Sequence, residues 1–213
     1  PTNTAIQNLK TEGFDKFNSK IQKTGDVMQD AALQFSKFSI KPNFEIPDKF
    51  LLATIHRAEN TDIIINLQSI FDAFNNLSKF QPIILPIHPR TAQILKKSKS
   101  IAISKDIIIV EPIGYLQMLY LLKKCSIVLT DSGGLQKEAF FFGKPCITLR
   151  EETEWVELVE CGVNIITGTN RDKILNAFNH FRASKLNFNI DLYSNFSPSF
   201  YIQNYTICII LSI

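Results

Sequence analysis

The 213-residue sequence holds 8 glycines, and none of them builds a Gly-x-Gly-x-x-Gly run after a strand, so the dinucleotide fingerprint is missing. The Gly-x-x-x-x-Gly-Lys-Ser/Thr loop of the P-loop NTPases is missing too. Four cysteines, Cys125, Cys146, Cys161 and Cys208, stand far apart without a Cys-x-x-Cys pair, which argues against zinc or redox work. Three histidines, His56, His88 and His180, are scattered without ligand spacing; no metal and no cofactor is expected. No block of Lys or Arg suits nucleic acid, and the net charge of +3 is spread along the chain. The most apolar stretch, residues 206–213, is far too short to span a bilayer as a helix, and the first residues are polar rather than a signal peptide. These absences leave an expectation of a cytoplasmic globular protein with no nucleic-acid or membrane partner. At 45% hydrophobic and 20% charged residues, the composition agrees. Cys125 and Cys146 fall in apolar runs and read as small core residues.

The most informative stretch is Thr130-Asp131-Ser132-Gly133-Gly134-Leu135-Gln136-Lys137-Glu138. The apolar run 125–129 before it reads as a buried parallel strand. After the glycines, Leu135, Ala139, Phe140 and Phe142 fall at roughly helical spacing. Asp131 and Ser132 are both residue types that cap helix N-termini. A strand, a tight turn and a helix start put backbone N–H groups without internal partners at the positive end of a helix dipole, which suits a diphosphate. Glu138, one turn beyond Gly134, can accept hydrogen bonds from sugar hydroxyls beside it. From these residues alone, a plain capped helix with an ordinary Glu fits as well.

Around this stretch the chain keeps a regular beat. Strand-like runs recur at 50–55, 82–87, 106–110, 125–130, 145–149 and, more weakly, 163–166. Helix-like stretches lie between or after them at 61–79, 91–97, 114–123, 134–142, 152–161 and 171–183. Strands apolar throughout, alternating with helices, predict an α/β fold with a doubly wound, Rossmann-like parallel sheet covered on both faces. Ahead of the beat, a short helix is expected between Pro1 and Gly13, a possible strand at 21–24, a helix at 27–38 and a Pro-containing connector at 41–48. Ligands of such sheets bind beyond the carboxyl ends of the strands. His56-Arg57-Ala58-Glu59-Asn60, His88-Pro89-Arg90, Asp131-Ser132-Gly133-Gly134 and Arg150-Glu151-Glu152 all follow strands. They should therefore share one rim, which favours a binding site over a simple cap.

Read together, these pieces resemble the non-hydrolysing UDP-N-acetylglucosamine 2-epimerase family, which has the two-domain architecture of GT-B glycosyltransferases. The resemblance rests on Asn8-Leu9, Glu12-Gly13, Thr24-Gly25-Asp26, the His56 to Asn60 run, and Pro86-Ile87-His88-Pro89-Arg90. It continues through Glu111-Pro112 with Tyr115-Leu116, the 130–139 stretch, Gly143-Lys144-Pro145, and Leu149-Arg150-Glu151-Glu152-Thr153-Glu154. Order and spacing over about nine-tenths of the chain make the match specific where any single motif is weak. It starts where the family's N-terminal domain ends, so the chain is expected to be the C-terminal half of a GT-B-type fold. After residues 192–193 the family's Gly-rich turn and closing helix give way to another tail, and a truncated or frameshifted gene is the expectation for both ends. The domains then read as residues 1–40, a remnant of the inter-domain segment with a first αβ unit; 41–186, a UDP-binding domain; and 187–213, an atypical tail.

The resemblance implies inversion at C2 of N-acetylglucosamine by eliminating UDP and adding it back. The family's acid–base carboxylates belong to the N-terminal domain, and holding UDP belongs to this half. Ser132, Gly133 and Gly134 would take the diphosphate, Glu138 the ribose, and Arg150 phosphate or sugar oxygens, unless Arg150 is a surface ion pair with Glu151 or Glu154. Ile113 and Met118 would face uracil where the family has polar and aromatic residues. His56 is the implied catalytic histidine, although a lone His at a strand end also fits a structural role. Arg57 and His88 match positions that contact a regulatory UDP-sugar in some relatives. The partners implied are a UDP-sugar substrate and either a second copy of the chain or the missing N-terminal domain. An epimerase of a UDP-diacetamido-uronic acid, a GT-B glycosyltransferase and a non-catalytic nucleotide-binding module remain as alternatives.

Overall fold

The structure is a computed structural model and describes residues 1–18, 20–98 and 101–193. Six short strands carry the fold: β1 (Leu51–Thr54), β2 (Ile83–Pro86), β3 (Ile107–Val110), β4 (Val128–Thr130), β5 (Cys146–Thr148) and β6 (Asn164–Ile166). They form one parallel sheet in the order β3-β2-β1-β4-β5-β6. All six coincide with expected strand-like runs. The helices are α1 (Asn3–Thr11), α2 (Val27–Phe35), α3 (Ala58–Thr61), α4 (Ile64–Leu77), α5 (Pro89–Lys97), α6 (Tyr115–Lys124), α7 (Gly133–Phe141), α8 (Val156–Glu160) and α9 (Arg171–Ala183).

Two compact units divide the described residues: 38–188, and 1–37 with 189–193. In the larger unit the inner strands β1, β2, β4 and β5 are buried on both faces, so successive residues serve different cores. Leu51, Ala53, Leu129 and Ile147 join Ile70, Phe71 and Phe74 of α4 and Ile174 and Phe178 of α9. Leu52, Val128 and Cys146 join Leu121 and Leu122 of α6 and Leu135 and Ala139 of α7. This is why the strands read as continuous apolar runs rather than as alternation. Burial pushes the Cys125 and Cys146 thiols up to about 12, which suits packing residues rather than nucleophiles.

In the smaller unit, Thr2 Oγ1 accepts from Ala5 N (3.1 Å) to cap α1, and Asp26 Oδ1 accepts from Met28 N (2.8 Å) to cap α2. Residues 21–24 are not a strand: the run has a single apolar residue and takes no regular secondary structure. The helix expected over 27–38 is α-helical to Phe35 and tightens into a 3-10 turn over Ser36–Phe38. The helix expected over 61–79 is α4, which starts only at Ile64: Thr61 closes the short α3 and Ile63 is extended between the two (φ −95°, ψ 99°). The helix expected over 152–161 shrinks to α8, because Thr153 and Trp155 bond across to α7 instead. The apolar tail of 201–213 lies outside the described residues.

Leu129 sits at the centre of the middle of the sheet with no exposed surface. Leu129→Ala should lower the unfolding free energy by about 2–5 kcal/mol in a urea titration, through lost transfer energy and the cavity left behind. A loss below about 1 kcal/mol would show that β4 is not the packed centre of this unit.

Candidate functional site

Strand order reverses between β1 and β4, so the chain leaves their carboxyl ends toward opposite faces and opens a crevice there. The strand ends are tied by Thr54 Oγ1 and Thr130 Oγ1 at 2.6 Å, and Thr130 Oγ1 also accepts from Ser132 N (2.9 Å). β1 leads through His56 and Arg57 into α3; β4 leads through Asp131 and Ser132 into α7.

Asp131 joins the two turns. Its carboxylate is fully buried and accepts from His56 N (3.0 and 3.2 Å), Arg57 N (2.9 Å) and Asn60 Nδ2 (3.1 Å). His56 Nδ1 lies 3.0 Å from Asp131 Oδ1. Burial pushes the Asp131 carboxyl up, but the hydrogen bonds from His56 and Arg57 outweigh it and leave its pKa below the usual value. The hydrogen bond to Asp131 raises the pKa of His56 above its usual value, against burial and the neighbouring Arg57. Asn60 Nδ2 also donates to Leu149 O (2.9 Å), so the same amide reaches the end of β5. The sequence offered two cap types in a row at 131 and 132. Ser132 is the cap, its Oγ accepting from Leu135 N (3.4 Å). Asp131 is thereby free for the crevice. That only one of two adjacent residues can cap a helix was the signal for this second role.

Gly133 and Gly134 open α7, ahead of the first intrahelical acceptor–donor pair, so their N–H groups are among the orphans of the first turn. A Cβ on Gly133 would stand 3.3 Å from Glu154 Oε2 and 3.6 Å from Trp155 Nε1, so the bare backbone permits a close approach. Trp155 Nε1 donates to Gly133 O (2.8 Å), and Lys137 Nζ lies 4.3 Å from the centre of its ring. Gln136 is wholly buried and accepts from Thr153 Oγ1 (2.6 Å) and Asn164 Nδ2 (3.1 Å), fixing α7 to the loop after β5 and to β6.

Arg150 is not a surface residue. It is 8% exposed, with Nη1 at 3.0 and 2.9 Å from the two Glu154 oxygens and Nε at 3.7 Å from Glu59 Oε1. It lines a polar cavity of about 400 Å3 with Glu59, Asn60, Glu151 and Thr169. Burial pushes the half-exposed Glu154 up, but its own backbone N–H and Arg150 outweigh that and hold it below the usual value.

Glu138 is buried, and Tyr115 Oη donates to its Oε1 (2.8 Å), which links α7 to the start of α6. Burial raises the Glu138 pKa, with the Tyr115 hydrogen bond acting against it; the Tyr115 hydroxyl is pushed up by burial and by the same carboxylate. Between these groups His56, His88, Ile113 and Met118 line one cavity of about 180 Å3. Ile113 and Met118 also pack on the α6–α7 core. His88 Nδ1 accepts from Arg90 N (3.3 Å) and caps α5, while the Arg90 guanidinium pairs with Asp62. Thus His56, His88, Ile113 and Met118 meet in that cavity; Ser132, Gly133, Gly134 and Glu138 lie together on α7, and Arg150 lines the other cavity. Tyr115 and Trp155 had no expected site role; Asp131 and Asn60 were expected only within the rim clusters, and Glu154 only as an ion-pair partner of Arg150. A larger cavity of about 450 Å3 runs along α2 in the smaller unit and holds none of the expected residues.

Comparisons with known proteins agree with this arrangement. Residues 1–202 match the family model described as UDP-N-acetylglucosamine 2-epimerase. The chain is 49% identical over 177 residues to a UDP-2,3-diacetamido-2,3-dideoxy-D-glucuronate 2-epimerase of Pseudomonas aeruginosa, covering 82% of this chain and 49% of that protein. It is 40% identical over 190 residues to a UDP-N-acetylglucosamine 2-epimerase of Methanocaldococcus jannaschii, covering 83% and 51%. The crystal structure of the M. jannaschii UDP-GlcNAc 2-epimerase in complex with UDP-GlcNAc and UDP superposes with a TM-score of 0.84 at 36% identity, covering 97% of this chain and 59% of that one. An S. aureus structure with UDP, MnaA–UDP, gives 0.78 at 28% identity, covering 100% and 59%. The chain spans about half the length of the curated relatives it matches. With its sheet order, its strand–turn–helix at 128–141 and a family match along most of its length, the chain belongs to the UDP-N-acetylglucosamine 2-epimerase family.

Proposed function

We propose that this chain is the UDP-holding half of a UDP-sugar 2-epimerase, with UDP-N-acetylglucosamine and its C2 epimer as the pair interconverted. In this reaction the C2 proton leaves to a base, its electron pair forms a C1=C2 bond, and the C1–O bond breaks toward UDP. Reversal with the proton delivered to the opposite face gives the epimer. UDP must stay bound between the two steps, because re-attack competes with diffusion. The single observation that carries the reading is the meeting of the α7 N-terminal turn and His56 at the β1–β4 crevice, joined through Asp131 from segments far apart in sequence.

In this reading the N–H groups of Ser132, Gly133 and Gly134 take the diphosphate and gain strength as charge develops on the leaving oxygen. Glu138 takes the ribose hydroxyls through the oxygen not bonded to Tyr115. Uracil lies along Ile113 and Met118, its polar edge meeting backbone groups. His56 shares charge with the diphosphate. Arg150 reaches a phosphate or sugar oxygen with the donors that Glu154 does not occupy. Arg57 and His88 are assigned to a second, regulatory UDP-sugar, and the working enzyme pairs this half with the family's N-terminal domain or with another copy of the chain. None of the residues discussed here is assigned the C2 proton transfer. A second substrate, a UDP-diacetamido-uronic acid, is favoured by the 49% identity to the P. aeruginosa 2-epimerase of such a sugar.

Calorimetric titration with UDP tests the proposal. The chain should bind UDP, Gly134→Val should abolish binding, and Glu138→Ala should weaken it about 10- to 100-fold, the usual worth of hydrogen bonds to a charged group. No binding by a chain that melts cooperatively would overturn the assignment of UDP to this half. Tyr115→Phe should weaken UDP several-fold by releasing the Glu138 carboxylate, while leaving the affinity for 2′,3′-dideoxy-UDP unchanged. An equal loss for both nucleotides would remove the ribose from Glu138.

A further inference from the structure

The geometry points to Asp131 as a positioning residue that commits Nδ1 of His56, so that Nε2 alone meets the diphosphate as a charged donor. This deepens the proposed function and rests on it for the identity of the ligand.

Three other roles for Asp131 can be weighed on the structure. It is not the cap of α7, since Ser132 holds that place. It is not a solvated surface acid, since no part of it is exposed. It is a staple between two turns, but that task is already met by His56 N, Arg57 N and Asn60 Nδ2, which give its two oxygens their donors. The imidazole at 3.0 Å is additional to the staple. A ring nitrogen that close to a carboxylate oxygen carries a proton, so Nδ1 is the protonated nitrogen even when the ring is neutral. The His56 side chain is 44% exposed although its Nδ1 end meets a wholly buried acid, so the ring's accessible part lies away from Asp131. Protonated, the His56–Asp131 pair is neutral overall with a donor at Nε2; deprotonated, it is anionic with an acceptor there. A diphosphate is attracted by the first form and repelled by the second. The charged groups that bear on the ring are Asp131, which favours the cation, and Arg57, which opposes it. His88 lines the same cavity. Because Asp131 adjoins Ser132, one carboxylate fixes both the histidine and the turn that opens α7.

Long-range 1H–15N correlation NMR of the native chain reads the ring directly. Above the His56 pKa the neutral ring should carry its proton on Nδ1, the minority form of free histidine. A proton on Nε2 would overturn the proposal, whether or not UDP binds. Asp131→Asn should lower the His56 pKa with an unchanged far-UV spectrum; should that variant fail to fold, the native tautomer still decides. The second readout is UDP affinity between about pH 7.5 and 8.5, a window between the titration of the terminal phosphate and that of uracil N3. Affinity should fall about tenfold as pH rises through the His56 pKa found by NMR, and His56→Asn should flatten that slope. A slope that persists in His56→Asn would overturn the role of Nε2. An Nδ1 proton together with no UDP binding would keep Asp131 as the positioning residue and discard the diphosphate as its object.

Discussion

One buried carboxylate holds this site together. A charged group with no access to water is tolerated only where donors replace its hydration, and Asp131 has them from the turn after the neighbouring strand. The bonds have a mechanical result: the β1 and β4 turns, dozens of residues apart, become one piece. They also set a pH window for stability. The lowered pKa of Asp131 means that its contribution is present above the ordinary carboxylate range and fades as pH falls through the lowered value. The raised pKa of His56 acts in the other direction: its contribution is complete below the ordinary histidine range and is lost as pH rises through the raised value. Between these limits the pair is ionised as acid and base together.

Much of the fold was legible because parallel strands covered on both faces favour apolar residues in succession. Runs such as Leu51-Leu52-Ala53 and Ile83-Ile84-Leu85 are hard to read as anything else once helices alternate with them. The α7 turn was legible because the glycines and the cap residue are local. What escaped was contact across the sheet. Asn60 was expected on the rim with the His56 run, but nothing local showed that it would sit in a separate short helix and reach both Asp131 and Leu149 O. No local pattern encodes a partner about seventy residues away. The 152–161 stretch misled for a related reason: its helical spacing is real, but Thr153 and Trp155 bond to α7, and that wins over a first helical turn of modest worth.

Arg150 shows how electrostatics redefines a residue that sequence placed only by type. A guanidinium buried between Glu154 and Glu59 is part of a cluster with one positive and two negative groups. In the proposed function an incoming diphosphate adds further negative charge beside it, and Coulomb repulsion grows where water is thin. Occupation of the α7 turn therefore favours Glu154 leaving the guanidinium or taking a proton, and its half-exposed position gives the side chain room to turn into solvent. The cluster keeps a buried cation satisfied while the site is open.

Trp155 is the one tryptophan of the sequence, and its indole N–H is bonded to the first carbonyl of α7. An indole's emission depends on its hydrogen bonding and on charges near the ring, here Lys137 on the ring and Glu154 beside the same glycine. The molecule thus carries a native optical probe with no background from a second fluorophore of its kind, placed beside the turn proposed to take the diphosphate.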